Sequence, residues 1–281
     1  GETSNWYFGN GAGISFNDDG TVNAVDDGQL NTFEGCATIS DANGNLLFYT
    51  DGILVYDKDH DIMENGRNLL GDPSSTQSAI IVPKPGDSNI FYVFTVDTAI
   101  DENDADRGLN YSVVDISLND GKGKVTQRNI PLLSDCSEKI GAVIKDCSDQ
   151  SILVITLASL SGRPGPFNTF HAYEVNTNGI NPISIKTTFE DLAIEDPRGY
   201  LKISADGTKL ASANASAGLF LYDFDSKSGV VSNQRKIAIN GAARAAYGIE
   251  FSPNGRYLYV HSSNDVLTES GHESSLVQFD L

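Results

Sequence analysis

The chain is poor in cysteine, methionine, tryptophan and base. Three cysteines stand among 281 residues: Cys36, Cys136 and Cys147. They form no CxxC pair, which excludes a zinc ribbon and the disulfide framework of small secreted domains. Cys136 and Cys147 flank one predicted strand, which separates them by roughly 30 Å at about 3.3 Å per residue and argues against a bond between them. No apolar run approaches the roughly 18 residues that a spanning helix needs, so no transmembrane segment is expected. Lys and Arg number 19 against 38 Asp and Glu, a net charge of −19. Such a surface repels nucleic-acid phosphates and anionic lipid headgroups and suits an extracellular or cation-collecting protein. Helical periodicity is scarce, with Phe189 to Ile194 offering at most one turn. Neither HExxH nor GxSxG occurs. The glycines of Gly9 to Gly13 have no following helix whose N-terminus would hold an anion.

What the chain does have is strand after strand, punctuated by Gly, Asn and Asp. Leu46–Thr50, Ile90–Phe94 and Ile152–Thr156 are clear examples. A hydrophobic or aromatic residue followed by an acid recurs at Asp57, Asp115, Glu174, Asp223 and Asp280, 49 to 59 residues apart. Upstream lies a second mark, a strand–turn–strand unit. It is clearest from Gly199 through Asp206-Gly207 to Leu210 and from Tyr247 through Asn254-Gly255 to Leu258. Asp-Gly and Asn-Gly between apolar runs are hairpin signals. Three or four strands repeated on this period predict an all-β fold, a β-propeller with very little helix. Units are expected to begin near residues 34, 76, 139, 198 and 246. That gives five blades plus a partial one, to which the first 33 residues contribute one or two strands. A seven-bladed ring would need about 370 residues. Residues 1–281 are therefore expected to be one propeller domain cut short at its C-terminus. Gly1 in place of Met suggests a removed export signal.

Long strings of this chain resemble a known family. They are Asn5 to Phe16, Glu34 to Asp41, Gly44 to Gly52, Ser74 to Gly86 and Gly108 to Asp115. They are similar to the N-terminal β-propeller of Bacteroidota cargo proteins of the type IX secretion system. Those proteins end in a type B, gliding-motility-associated sorting domain, which lies outside these residues. The resemblance implies a secreted, cell-surface protein of adhesin type, engaging the type IX machinery through that missing domain. Asp97-Thr98-Ala99 is similar to the short O-glycosylation acceptor of that phylum, which would place a glycan on Thr98.

Propellers bind at the mouth of the central channel. Alignment of the repeats puts Glu34, Thr76, Lys139, Arg198 and Ala246 at the entry of the inner strands, with Gln77 and Tyr247 beside them. Glu34, Gln77, Lys139, Arg198 and Tyr247 are thus the candidate ligand contacts. Their opposite charges suit either a polar ligand or an internal salt-bridge network. The loops Ser159 to Asn168 and Ser262 to Glu273 are candidate rims. Asp101, Asn103, Asp104 and Asp106 crowd oxygen ligands onto a glycine-containing loop, a candidate calcium site, although a solvated acidic turn, partly neutralised by Arg107, is the simpler reading. The recurrent acids read best as turn caps. His171 and His261, on predicted strands, read as structural side chains. The expected function is non-catalytic recognition of a glycan or protein. The competing expectations are a polysaccharide hydrolase or lyase using channel carboxylates, and a structural subunit of a surface assembly.

Overall fold

The computed structural model describes residues 1–98, 105–241, 243–264 and 271–281. Two compact units divide the chain, Gly1–Ser134 and Asp135–Leu281. Each contains three antiparallel sheets in chain order.

In the first unit, sheet 1 holds β1 (Asn5–Tyr7), β2 (Gly13–Phe16) and β3 (Val22–Val25) in the order β1-β2-β3. Sheet 2 holds β4 (Ala37–Ser40), β5 (Leu46–Thr50) and β6 (Val55–Asp57). Sheet 3 has four strands, β7 (Ala79–Lys84), β8 (Asp87–Val96), β9 (Leu109–Asp115) and β10 (Lys124–Leu133). In the second unit, sheet 4 runs through β11 (Ile140–Asp146), β12 (Ser151–Ala158) and β13 (Thr169–Asn176). The short β14 (Gly179–Ile180) and β15 (Ile185–Thr188) both pair with β13. Sheet 5 comprises β16 (Leu201–Ile203), β17 (Lys209–Asn214), β18 (Gly218–Asp225) and β19 (Val230–Ile237). Sheet 6 comprises β20 (Ala245–Phe251), β21 (Tyr257–Ser263) and β22 (Ser274–Asp280). Every pairing between neighbouring strands is antiparallel, as in the meandering blades of a propeller.

The sheets open at Ala37, Ala79, Ile140, Leu201 and Ala245, within three residues of the starts expected from the repeat. One expectation is corrected. The first residues form a sheet of their own, rather than one or two strands lent to another. Val22–Val25 pairs with β2, because the polar turn Asn17–Thr21 folds the chain back at once. The segment Phe189 to Ile194 makes a single reverse turn, Leu192 N to Phe189 O, and no helix.

Burial follows position in the sheet. β12, Ser-Ile-Leu-Val-Ile-Thr-Leu-Ala, is buried almost throughout, because both of its faces are covered. β19, Val-Val-Ser-Asn-Gln-Arg-Lys-Ile, lies at a sheet edge and exposes its polar residues. In the first unit Tyr7, Tyr49 and Tyr56 stack in series, with ring centroids 4.6 and 5.3 Å apart. Phe48, Phe91, Val93 and Val114 fill the next layer. In the second unit Leu153, Ile155, Phe170, Leu201 and Tyr222 form one core, and Ala211, Leu219, Ile249 and Leu258 another.

Turn chemistry matches the sequence signals. Ser204 N bonds Lys209 O, and Ser252 N bonds Tyr257 O. Gly207 and Gly255 occupy the left-handed position of these four-residue loops, at φ 69° and 66°. A side chain would be strained there.

A charged cleft at the strand-entry end of the second unit

The chain enters β16 through Asp196-Pro197-Arg198. Pro197 has no N–H to lose, and Gly199, at φ 112°, turns the backbone into the strand. The turn Ala215–Ala217, between β17 and β18, reaches the same place. There Arg198 grips Asp196 through two nitrogens, Nε to Oδ1 at 2.9 Å and Nη2 to Oδ2 at 2.7 Å. Ser216 Oγ donates to Asp196 Oδ2 at 2.5 Å. Burial pushes this carboxyl up, but the bonds from Arg198 and Ser216 outweigh it and hold Asp196 down at about 2. The carboxylate is a fixed acceptor at any physiological pH.

Beside this pair lies a hollow of about 490 Å³ lined by Ala193, Glu195, Asp196, Ser216 and Ala217. A second hollow of about 300 Å³ shares Ser216 and Ala217 with it. Its lining combines the apolar Leu219, Ile237 and Ile239 with the basic Lys236 and Arg244. Arg244 Nε is held by the carbonyl of Gly241. The two hollows of this cleft therefore line one side with carboxylates and the other with cations, and share the small residues Ser216 and Ala217. That composition fits a polar ligand with a compact apolar face.

Lys139 is fully buried, so it lines no surface. Its Nζ donates to Arg198 O at 2.9 Å, Gly199 O at 3.0 Å and Pro197 O at 3.4 Å. Burial lowers the ammonium to about 7, against the opposing pull of Glu138 and Asp196. Lys139 ties the start of β11 to the bend that carries Asp196 and Arg198. Arg198, by contrast, is half-buried at the cleft edge. Tyr247, on β20, packs edge-on against Tyr200 at 5.7 Å.

Glu34 and Gln77 belong to the first unit. Glu34 Oε1 accepts a bond from Ser74 Oγ at 3.3 Å. Gln77 Nε2 donates to Ala79 O at 2.9 Å and Cys36 O at 3.3 Å. Gly35 packs so tightly that a Cβ would collide with the backbone of Gln77 and Ser78. The five candidates are thus divided between the units. Arg198 and Lys139 converge with Asp196, which sequence reading passed over together with Ser216, Lys236 and Arg244. The signal for Asp196 was present as an acid two residues before Arg198, at a strand entry.

Asp101, Asn103 and Asp104 lie outside the described residues. Asp106 Oδ1 accepts the Gly108 N–H at 2.7 Å, an Asx turn. Among the described residues no group of three His, Cys, Asp or Glu is arranged to hold a metal. Thr98 is buried, its hydroxyl screened in the folded chain. All three cysteines are free thiols.

The recurrent acids divide. Asp57 and Asp115 cap their turns, accepting N–H bonds from Asp59 and Asp61 and from Ser117. Glu174, Asp223 and Asp280 instead pair with Lys145, Arg235 and Arg256. His171 is a satisfied structural side chain. Its Nε2 meets the carbonyl of Ser159 at 2.8 Å and so carries the proton, leaving Nδ1 to accept from Ser184.

One further polar cluster escaped sequence reading. Tyr49 OH receives the Gln29 N–H at 3.2 Å and lies 3.0 Å from His60 Nδ1. His60 Nε2 is 3.3 Å from Asp27, which also accepts from Tyr7 OH at 2.9 Å. Tyr49 is fully buried, whereas the His60 and Asp27 end of the relay reaches solvent.

No protein-family model and no curated protein matches the chain. Solved structures do. One is a protein of Bacteroides uniformis provisionally assigned as a 6-phosphogluconolactonase: 14% identity over 96% of this chain and 74% of that one, TM-score 0.51. Kuenenia stuttgartiensis hydrazine synthase is 15% identical over 86% of this chain and 59% of its own, TM-score 0.45. A gluconolactonase from Xanthomonas campestris is 15% identical over 89% and 75%, TM-score 0.38. At such identities the first likeness is one of fold alone, and with the six antiparallel meanders it makes this chain an all-β protein of the β-propeller class.

Proposed function

We propose that the chain is a non-catalytic recognition module of a secreted surface protein, binding a polar glycan or protein group in the cleft around Asp196. The state of Asp196 carries this reading. A carboxyl held at about 2 by Arg198 and Ser216 is a rigid acceptor and a poor proton donor. Rigid acceptors and donors beside small apolar residues favour binding by hydrogen bonds without reorganisation. Export and surface location rest on the resemblance of the N-terminal strings to type IX cargo and on the acidic charge.

Hydrolysis has one observation in its favour. Burial pushes Asp97 up to about 6, closer to neutral pH than an ordinary carboxyl, the direction a general acid requires. Yet Asp97 is 3% exposed and accepts the Arg107 N–H at 2.9 Å, which is the environment of a structural carboxyl.

The test is a panel of neutral and uronate polysaccharides titrated calorimetrically into the full chain. The expected result is at least one ligand whose affinity falls about tenfold or more in Asp196→Ala, which removes the charge-assisted bonds that hold Arg198 and Ser216 in place. An unchanged affinity in Asp196→Ala, or release of hydrolysed product, overturns the reading.

A further inference from the structure

Sheet 1 presents a face and an edge that nothing among the described residues of its own unit covers. Register places Trp6 opposite Ile14, Ile14 opposite Ala24, and Phe16 opposite Val22. Paired residues share a face, so these five apolar side chains form one patch. Trp6 is 45% exposed, Phe16 39% and Val22 54%. The rings of Trp6 and Phe16 meet edge-on at 5.3 Å. The opposite face is the one that packs inward, through Tyr7 and Val25.

The edge is equally open. β3 ends the sheet, and among the described residues no strand pairs with its outer side. Asn17 N bonds Thr21 O, which makes that a hydrogen-bonded pair. The antiparallel alternation then directs Asn23 and Val25 toward β2 and turns the backbone groups of Val22 and Ala24 outward. Sheets 3 and 5 fill the equivalent edge with a fourth strand. Those fourth strands are basic: β10 carries Lys124 and Arg128, and β19 carries Arg235 and Lys236. Lys124 lies opposite Asp115 in register, and Arg235 bonds Asp223.

Charge around sheet 1 fits the same kind of strand. Residues 1–57 contain nine acids and neither Lys nor Arg. Asp18 and Asp19 follow Phe16 directly in the β2–β3 turn, and Asp26 follows Val25. A second copy of this chain is a poor occupant. It brings the same acids, and its own edge strand β22, Ser-Ser-Leu-Val-Gln-Phe-Asp, has no base.

We infer that sheet 1 is a docking edge for an extended segment of a partner polypeptide that alternates apolar and Lys or Arg side chains. The segment adds to β3 through the outward groups of Val22 and Ala24. Its apolar residues line up beside Val22 and Ala24 and extend the Trp6–Phe16 patch from that side, and its cations answer the flanking aspartates. This surface is independent of the Asp196 cleft.

Trp6 is the only tryptophan in the sequence, so emission reports the patch alone. The probe is an eight-residue peptide alternating valine with arginine and lysine, titrated into the full chain. The expected result is a blue-shifted Trp6 emission with saturable binding, weakened about tenfold between low salt and 0.3 M salt as screening takes hold. The same peptide with glutamate for each base should give no shift. Ala24→Pro removes an outward donor at an edge position that tolerates proline, and should weaken binding about tenfold or more. Phe16→Ser, which leaves the edge backbone intact, should weaken it as well. No shift up to millimolar peptide, equal binding by the glutamate peptide, or unaltered binding by both variants overturns the proposal. A blue shift that grows with protein concentration in the absence of peptide overturns it in favour of self-association.

Discussion

At the scale of the residue, Lys139 shows how a charge that reads as a ligand contact becomes structural. Its position at a strand entry was legible in the repeat, but its partners were not. They are three main-chain carbonyls nearly sixty residues later, and carbonyls leave no mark in a sequence. Lys139→Met strands those carbonyls without a donor and should cost about 2–4 kcal/mol, read as a lower denaturant midpoint. Asp97 gives a pH test. Its folded pKa of about 6 lies above the ordinary carboxylate value, so the folded state binds the proton more tightly. The stability it contributes is fully present below about pH 4 and is lost as pH rises through 6. Asp97→Asn should therefore show a smaller fall in stability between pH 4 and 7 than the parent, measured by urea unfolding at each pH. An identical pH slope in both proteins would contradict this assignment.

At the scale of the element, the local signals were the trustworthy ones. Asp206-Gly207 and Asn254-Gly255 predicted turns because a left-handed residue is needed there, and the glycines adopt it. Strands were legible from short apolar runs between such turns. The recurrent acids were only half legible. A cap needs nothing beyond its own turn, as at Asp57 and Asp115, whereas Glu174, Asp223 and Asp280 depend on which cation another part of the sheet places beside them. Gly199 is the clearest case of a backbone demand at the site. It takes φ 112°, and a Cβ there would collide with the carbonyl of Ala213. Gly199→Ala should destabilise the chain by more than about 2 kcal/mol and loosen the Asp196–Arg198 bend. Thermal unfolding measures the first effect, and ligand affinity the second.

At the scale of the whole molecule, the period of the sequence predicted the start of each repeated sheet, because one meander must finish before the next begins. What it missed was the sheet formed by the first residues, whose strands are only three or four residues long. The site was legible as a location, the strand entries, and not as a set of atoms. Asp196, Ser216, Lys236 and Arg244 come from two strand entries, one turn and the end of β19, and only folding brings them to two hollows that share Ser216 and Ala217. The central claim is that this cleft binds a ligand and returns it unchanged. The most direct measurement is an amide chemical-shift map of the full chain with the tightest ligand from the polysaccharide panel, followed by mass analysis of the recovered ligand. The account predicts shifts concentrated at Glu195–Arg198, Ala215–Leu219 and Lys236–Ala245, with the ligand intact. Shifts concentrated elsewhere, or a ligand recovered cleaved or hydrolysed, would contradict it.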